Sequence, residues 1–193
     1  MFEPLRPQHL CQPAGRAQES VLPEFRLRTV TGETWASHAA DPGLRLLLIY
    51  RGVHSDACRL RVQELARLAQ RLRQWGVSPV AASVDPRIRA EAAHCLWKLE
   101  TLSGEAPLVL AYGLALDTAL KCALQFGPGR GRAGNGWVEP PLYATPGVFL
   151  VHNSGRVVAA LRDEQRLDRS PLLELMPALP LLVRQELRGM AVQ

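Results

Sequence analysis

The run YRGVHSDAC, residues 50–58, separates two segments whose apolar residues repeat with different periods. Before it, RLLLIY at 45–50 is a continuous apolar stretch of strand length, the pattern of a strand covered on both faces. After it, Val62, Leu65, Leu68, Ala69 and Leu72 recur at spacings of three and four, while Arg59, Arg67, Arg71 and Arg73 take the positions between. That spacing predicts a long amphipathic helix over 56–75. A strand running directly into a helix brings the first helical residues to the rim of a sheet. Free backbone N–H groups and the positive end of the helix dipole face outward there, and a cysteine so placed has its thiolate stabilised. Cys58 occupies that place, near the third helical position, with Arg51 and Arg59 as candidate positive neighbours. Ser55 reads as the N-cap, and Asp56 behind it is favoured by the dipole.

Outward from this turn, strands and helices alternate. Upstream, FRLRTV alternates apolar and polar residues and Thr31-Gly32 offers a turn before Thr34 and Trp35, which predicts an N-terminal β-hairpin. Downstream, Gly76 stops the long helix, 77–84 reads as a strand ending in SVD, and Pro86 opens a second helix over 87–99. A short strand over 107–110 and a third helix over 117–125 follow. Residues 127–141, dense in Gly, Pro and Arg, read as a long loop, either functional or mobile. Beyond it, two β-forming runs flank Asn153-Ser154-Gly155 as a hairpin, and a final helix over 170–187 must bend or split at Pro177 and Pro180. The expected fold class is therefore α/β, a central mixed β-sheet flanked by helices. One domain over 21–189 carries an irregular arm over 1–20.

Composition narrows the function classes. A 47% hydrophobic and 21% charged chain is that of a globular protein, and its longest apolar run is far too short to cross a bilayer. The N-terminus lacks a continuous apolar stretch behind a positive start, so the expected location is cytoplasmic. The net charge of +5 is nearly all arginine, Lys98 and Lys121 being the lysines, and it is scattered along the chain, so no nucleic-acid partner is expected. Cys11, Cys58, Cys95 and Cys122 form no C-x-x-C pair, which points to neither a zinc knuckle nor a disulfide framework. Cys95 and Cys122 stand among apolar residues as core packing. His54 and Cys58 share a helical spacing, and His94-Cys95 or His152 are the further candidates, but nothing brings them together; no metal and no cofactor is expected. Gly129, Gly131 and Gly134 spell G-x-G-x-x-G, yet no strand is predicted before them and Pro128 interrupts the context of a dinucleotide site.

With these residues in place, YRGVHSDACRLRVQEL resembles the peroxiredoxin-like branch of the alkyl-hydroperoxide-reductase and thiol-specific-antioxidant family, whose motif runs Y-R-G-x-W-C-P-x-C into an amphipathic helix. SVDP at 83–86, AYGL at 111–114, Thr145-Pro146 and GVFLVHNSGRVV at 147–158 follow in the family's order, so the resemblance spans about residues 22–176. It implies a thioredoxin-like fold and antioxidant chemistry on peroxide or protein disulfide, with a thioredoxin- or glutathione-type reductant, and it allows a homodimer. It also implies that Thr145-Pro146 holds a cis-proline facing the turn, as part of a substrate-binding edge with Arg51 and Gly52.

The departures from the motif bear directly on mechanism. The family's first cysteine falls on Ser55 and its second on Cys58, leaving S-x-x-C; its tryptophan falls on His54 and its proline on Asp56, and Gly52 stands where typical members have a peroxide-binding threonine. A serine hydroxyl forms neither a sulfenic acid nor a disulfide, so the first-cysteine mechanism is unavailable to this sequence. Ser55 can be a native N-cap or an engineered replacement of cysteine. Two functional expectations result. One is a thiol-dependent oxidoreductase with Cys58 as nucleophile, His54 as proton acceptor and Ser55 as hydrogen-bond donor. The other is a catalytically inactive thioredoxin-fold module in which the turn and Thr145-Pro146 recognise a protein partner.

Overall fold

RLLLIY becomes an interior strand because its side chains find apolar cover on both faces of a sheet. In a computed structural model, residues 21–39, 43–162, 172 and 175–190 are described, and the arm expected over 1–20 lies outside them. The elements run β1 (Arg26–Thr29), β2 (Thr34–Ala36), β3 (Leu44–Ile49), α1 (Asp56–Gln74), β4 (Val77–Ala82), α2 (Arg87–Leu96), α3 (Leu99–Ser103), β5 (Val109–Tyr112) and α4 (Leu116–Lys121). They continue with β6 (Phe126–Pro128), β7 (Leu142–Ala144), β8 (Gly147–His152), β9 (Val157–Arg162) and a last helix, α5 (Leu179–Met190). The main sheet has the order β2-β1-β5-β4-β3-β8-β9. β3 is parallel to β4 and antiparallel to β8, and β4 is parallel to β5, so the sheet is mixed, as expected.

The period-two alternation of the strands divides the core in two. Leu44, Leu46 and Leu48 of β3, with Val148 and Leu150 of β8, face a cluster completed by Cys58, Val62, Leu65 and Leu72 of α1 and by Leu179 and Val183 of α5. Leu47, Ile49, Phe149 and Val151 face the opposite cluster, with Leu27, Ala119, Cys122, Leu124 and Ala144. A strand apolar on both sides is thereby buried on both sides, which is why this stretch shows no polar alternation. Register then locates the rim: Ile49 pairs with Gly147, so the chain leaving β3 and the chain entering β8 emerge side by side.

Several boundaries differ from those the sequence suggests, each for a local reason. The helix expected over 87–99 breaks at Lys98, whose φ of 53° is left-handed, and α3 begins at the next residue. The third helix ends at Lys121 because Ala123 is also left-handed, at φ 57°. The strand placed at 107–110 occupies 109–112. The final helix is split as its prolines require: Pro180 lies in the first turn of α5, where its missing N–H would have no partner. The segment 127–141, expected as a loop, is instead a hairpin. β6 pairs antiparallel with β7, and Arg132 bridges to Val138 nearer the tip. A short strand therefore does precede Gly129, but it returns as a hairpin and opens no helix, so the glycine pattern has no dinucleotide-binding context.

Left-handed backbone at a residue bearing a β-carbon costs about 1–2 kcal/mol. Lys98 is exposed, so Lys98→Gly should relieve that strain and raise unfolding stability by up to about 1 kcal/mol once glycine's extra unfolded entropy is deducted. Urea denaturation measures it, and a loss of stability would contradict the assigned backbone.

Candidate active-site turn

The turn between β3 and α1 is built on hydrogen bonds that its short polar residues make locally. Ser55 is the N-cap: its backbone is extended at φ −105° and ψ 107°, and its Oγ accepts the Cys58 N–H at 3.3 Å. Cys58 is thus the third helical residue, as the sequence predicts, and its Sγ accepts the Arg51 N–H at 3.4 Å. The thiol is 1% exposed and points into the apolar cluster beside Val53 and Val62. Asp56 pairs with Arg59 at 3.4 Å on the exposed side of the helix, so Arg59 serves the carboxylate and not the thiol, contrary to its expected part.

Beneath the turn lies a group the sequence reading did not single out. Asp85, the aspartate of SVDP, is buried, and its Oδ2 accepts the Val53 N–H at 2.7 Å. Its Oδ1 faces Arg89 Nη1 at 3.6 Å, and its own N–H is donated to Ser83 Oγ at 3.3 Å. Burial raises the carboxyl above its ordinary value, against the pull of the Val53 N–H and Arg89. Gly52 is at φ +138°, and a β-carbon there would come within 2.7 Å of Asp85 Oδ2. A threonine at 52 would clash in the same way, so the departure from the family's residue follows from where Asp85 sits.

On the other side of the turn, aromatic and basic groups stack. The Arg51 guanidinium lies over the Tyr143 ring at 3.9 Å, and the His54 ring packs against the same tyrosine with centroids 5.6 Å apart. His54 is 4% exposed and neither ring nitrogen has a hydrogen-bond partner; the buried Arg51 Nε also lacks one. Burial lowers the imidazole from 6.5 to about 4, with Glu139 opposing and Arg51 and Arg89 adding to the shift. His54 is therefore neutral at pH 7.

The hairpin of β6 and β7 folds over this assembly. Asn135 Nδ2 donates to Val53 O at 3.2 Å, Trp137 packs on the cluster that contains Val53 and Cys58, and Arg89 donates to Val138 O while its guanidinium lies 5.4 Å from the Trp137 ring. Thr145 and Pro146 follow β7 at the same rim. Thr145 donates its N–H to Gln125 O at 2.8 Å and its Oγ1 accepts Gln125 N–H at 3.0 Å. The Thr145–Pro146 bond is trans, as are all described peptide bonds, so the expected cis-proline is corrected. The chain runs extended from β7 into β8, where a proline at the strand start owes no ladder hydrogen bond.

The structure thus gathers Arg51, Gly52, His54, Ser55, Cys58, Thr145 and Pro146 at one rim. Asp85, Arg89, Asn135, Trp137 and Tyr143 come from elements whose approach is tertiary; only the SVDP run hinted at one of them. Cys95 is exposed on α2, which corrects its placement in the core, whereas Cys122 is buried. Among the described residues, no three or more His, Cys, Asp or Glu side chains gather where they could hold a metal. No helix among them is long and apolar enough to cross a membrane.

No protein-family model and no curated protein sequence matches the chain. Solved structures do. Peroxidoxin BcpB from Mycobacterium tuberculosis superimposes with a TM-score of 0.61 at 16% identity, covering 86% of this chain and 94% of that one. A peroxiredoxin-like protein from Aquifex aeolicus gives 0.65 at 12% identity, over 85% and 86% of the two chains. ScoI from Arabidopsis thaliana, solved with copper bound, gives 0.57 at 14% identity, over 86% and 99%. The fold is accordingly the thioredoxin-like fold of peroxiredoxins. At these identities the likeness extends to the fold alone, and the chemistry has to be argued from this chain's residues.

Two outcomes follow from the geometry. Gly52→Ala forces a β-carbon against a tethered, buried carboxylate at a backbone angle unsuited to it, and should cost roughly 2–4 kcal/mol in urea denaturation. An unchanged midpoint would mean that Asp85 does not lie against residue 52. For His54, a pKa lowered from 6.5 to about 4 means that the unfolded chain binds a proton between those values which the folded chain refuses. Its stabilising contribution is full above pH 6.5 and is lost as pH falls towards 4. Asp85, raised, has the opposite sign, contributing below its unfolded value and losing that contribution as pH rises through the folded one. His54→Phe keeps a ring against Tyr143 and removes only the first titration. The variant should gain up to about 3 kcal/mol relative to the native protein between neutral pH and pH 4. A difference independent of pH would show that the ring is not buried in its neutral form.

Proposed function

We propose that this chain is a thiol-dependent redox protein of the peroxiredoxin-like kind, in which Cys58 is the reacting sulfur of an altered S-x-x-C turn. The observation that carries the reading is the Arg51 N–H donated to Cys58 Sγ at 3.4 Å in the first turn of a 19-residue helix. A backbone donor and a helix N-terminus are surroundings in which protein thiols react. Ser55 supports it by capping the helix and fixing the Cys58 backbone, not by replacing the missing sulfur.

The chemistry this allows balances as follows. The Cys58 thiolate attacks one oxygen of a hydroperoxide, the O–O bond breaks, and the alkoxide leaves with a proton, giving an alcohol and a Cys58 sulfenic acid. Two electrons from an external dithiol, or from two equivalents of a monothiol of the thioredoxin or glutathione type, restore the thiol and release water. With a protein disulfide as substrate, the same thiolate displaces one sulfur and is released by the next exchange. Neutral His54 is the available proton acceptor, and Arg51, Gly52, Thr145 and Pro146 form the substrate-facing edge. Such chemistry belongs to a reducing compartment, the cytoplasm, with residues 21–189 acting as one unit, alone or as a homodimer.

A second reading is favoured by one observation, the 1% exposure of Cys58 within the apolar cluster. On that reading the turn is a recognition surface for a protein partner and the thiol is packing. Peroxide consumption with thioredoxin or glutathione reducing systems, run on the native protein, Cys58→Ala and Ser55→Cys, separates the two. The expected result is turnover by the native protein that Cys58→Ala abolishes. Silence in the native protein with turnover in Ser55→Cys would mean a disabled site on an intact scaffold. Silence in both would leave the binding role.

A further inference from the structure

The β6–β7 hairpin differs from the rest of the molecule in how it is held. Its two limbs are joined to each other by their own ladder: Gly129 N–H donates to Pro141 O at 3.0 Å, Glu139 N–H to Gly131 O at 2.7 Å and Ala133 N–H to Trp137 O at 2.8 Å. Arg130 N–H also donates to Glu139 Oε2 at 2.6 Å, within the same arm. The arm is therefore internally complete. Among the described residues, it is held towards the turn by the Asn135 bond to Val53 O, the Arg89 bond to Val138 O, the Arg89–Trp137 stack and the packing of Trp137 itself. Arg89 links the arm to the turn's anchor, since the same guanidinium faces the buried Asp85.

The closed position also carries a cost. His54 Nδ1 and Nε2 and Arg51 Nε are buried without partners beside Tyr143, which continues from the arm. Buried polar atoms left unpaired disfavour the state that buries them, and water would satisfy them if the arm lifted. A rigid arm, latching contacts and a desolvation cost relieved by opening are the elements of a lid.

We propose that residues 129–139 form a hinged lid, latched by Asn135 and by Arg89 bridging Asp85 to the arm, and that its opening admits reactants to Cys58. Arg89 and Asn135 are positioning residues in this scheme; neither touches the sulfur. The purpose of the lid rests on the reading of Cys58 as the reacting group, but its test does not, because alkylation of a thiol reports access whether or not that thiol turns over peroxide.

The molecule supplies its own control. Cys58 and Cys122 lie in the two clusters on opposite faces of the sheet, and burial raises the Cys122 thiol to about 11. Alkylation by iodoacetamide, followed residue by residue by peptide mass spectrometry and compared with the native protein at the same pH, distinguishes lid opening from general loosening. In Asn135→Ala, Cys58 should react about three- to tenfold faster, the worth of one partly exposed hydrogen bond, and faster again when Arg89→Met is added, with Cys122 unchanged. An unchanged Cys58 rate in both variants, or a parallel rise at Cys58 and Cys122, would overturn the lid. Asn135→Ala alone keeps the test decisive if the loss of Arg89 unfolds the protein.

Discussion

The Val53 N–H donated to Asp85 joins the loop leaving β3 to the loop leaving β4, two adjacent parallel strands whose ends would otherwise splay. A carboxylate buried this deeply needs compensation, which comes from two sides: the turn's Val53 N–H on Oδ2, and the charge of Arg89 from α2 facing Oδ1, which has no hydrogen bond of its own. Everything nearby accommodates that carboxylate. Residue 52 has no side chain because one would occupy the same space, and the backbone adopts a φ of +138° to bring the next N–H into line. Arg89 is held over the turn, which in turn places its second contact on the hairpin arm.

The same constraint shapes the chemistry open to the turn. With Val53 anchored, the Gly52 carbonyl accepts the Ser55 N–H at 3.1 Å, the chain folds tightly, and Ser55 arrives at the N-cap with Cys58 three residues behind it. The sulfur then faces inward towards the Arg51 N–H and the apolar cluster, not outward to solvent. A cysteine at 55 would stand at the cap itself; serine there performs the cap's structural task and none of its redox task. The remaining sulfur of the turn, at the second position, is buried.

The hairpin tied to Val53 is rich in Gly and Pro, a composition that reads as a loop when the partners of its backbone are unknown. Its backbone groups pair within the arm, and Gly127 is the point where the Tyr143 ring passes too close for any β-carbon. Tyr143 in turn carries Arg51 on one side and His54 on another, so a single aromatic ring organises the basic side of the site. The two arginines have different partners: Arg51 rests on an aromatic face, and Arg89 meets the carboxylate.

The strand at 44–49, the amphipathic helix after it, the cap at Ser55 and the placement of Cys58 at the third helical position were determined by sequence alone, because each depends on periodicity or on contacts within a few residues. The order of strands and helices was legible for the same reason, as was the split of the last helix by its prolines. The breaks at Lys98 and Ala123 were not, since nothing in a lysine or an alanine announces a left-handed backbone; neighbouring packing imposes it. The trans bond at Thr145–Pro146 and the exposure of Cys95 were likewise decided by tertiary structure. So was the site's second half. Asp85, Arg89, Asn135 and Tyr143 meet the turn across separations of 32 to 82 residues where bonds record it, and a one-dimensional pattern carries no trace of which buried carboxylate will find which N–H. Local hydrogen-bond and packing rules act along the chain, whereas the pairing of distant polar groups is settled only when the sheet brings its strand ends together.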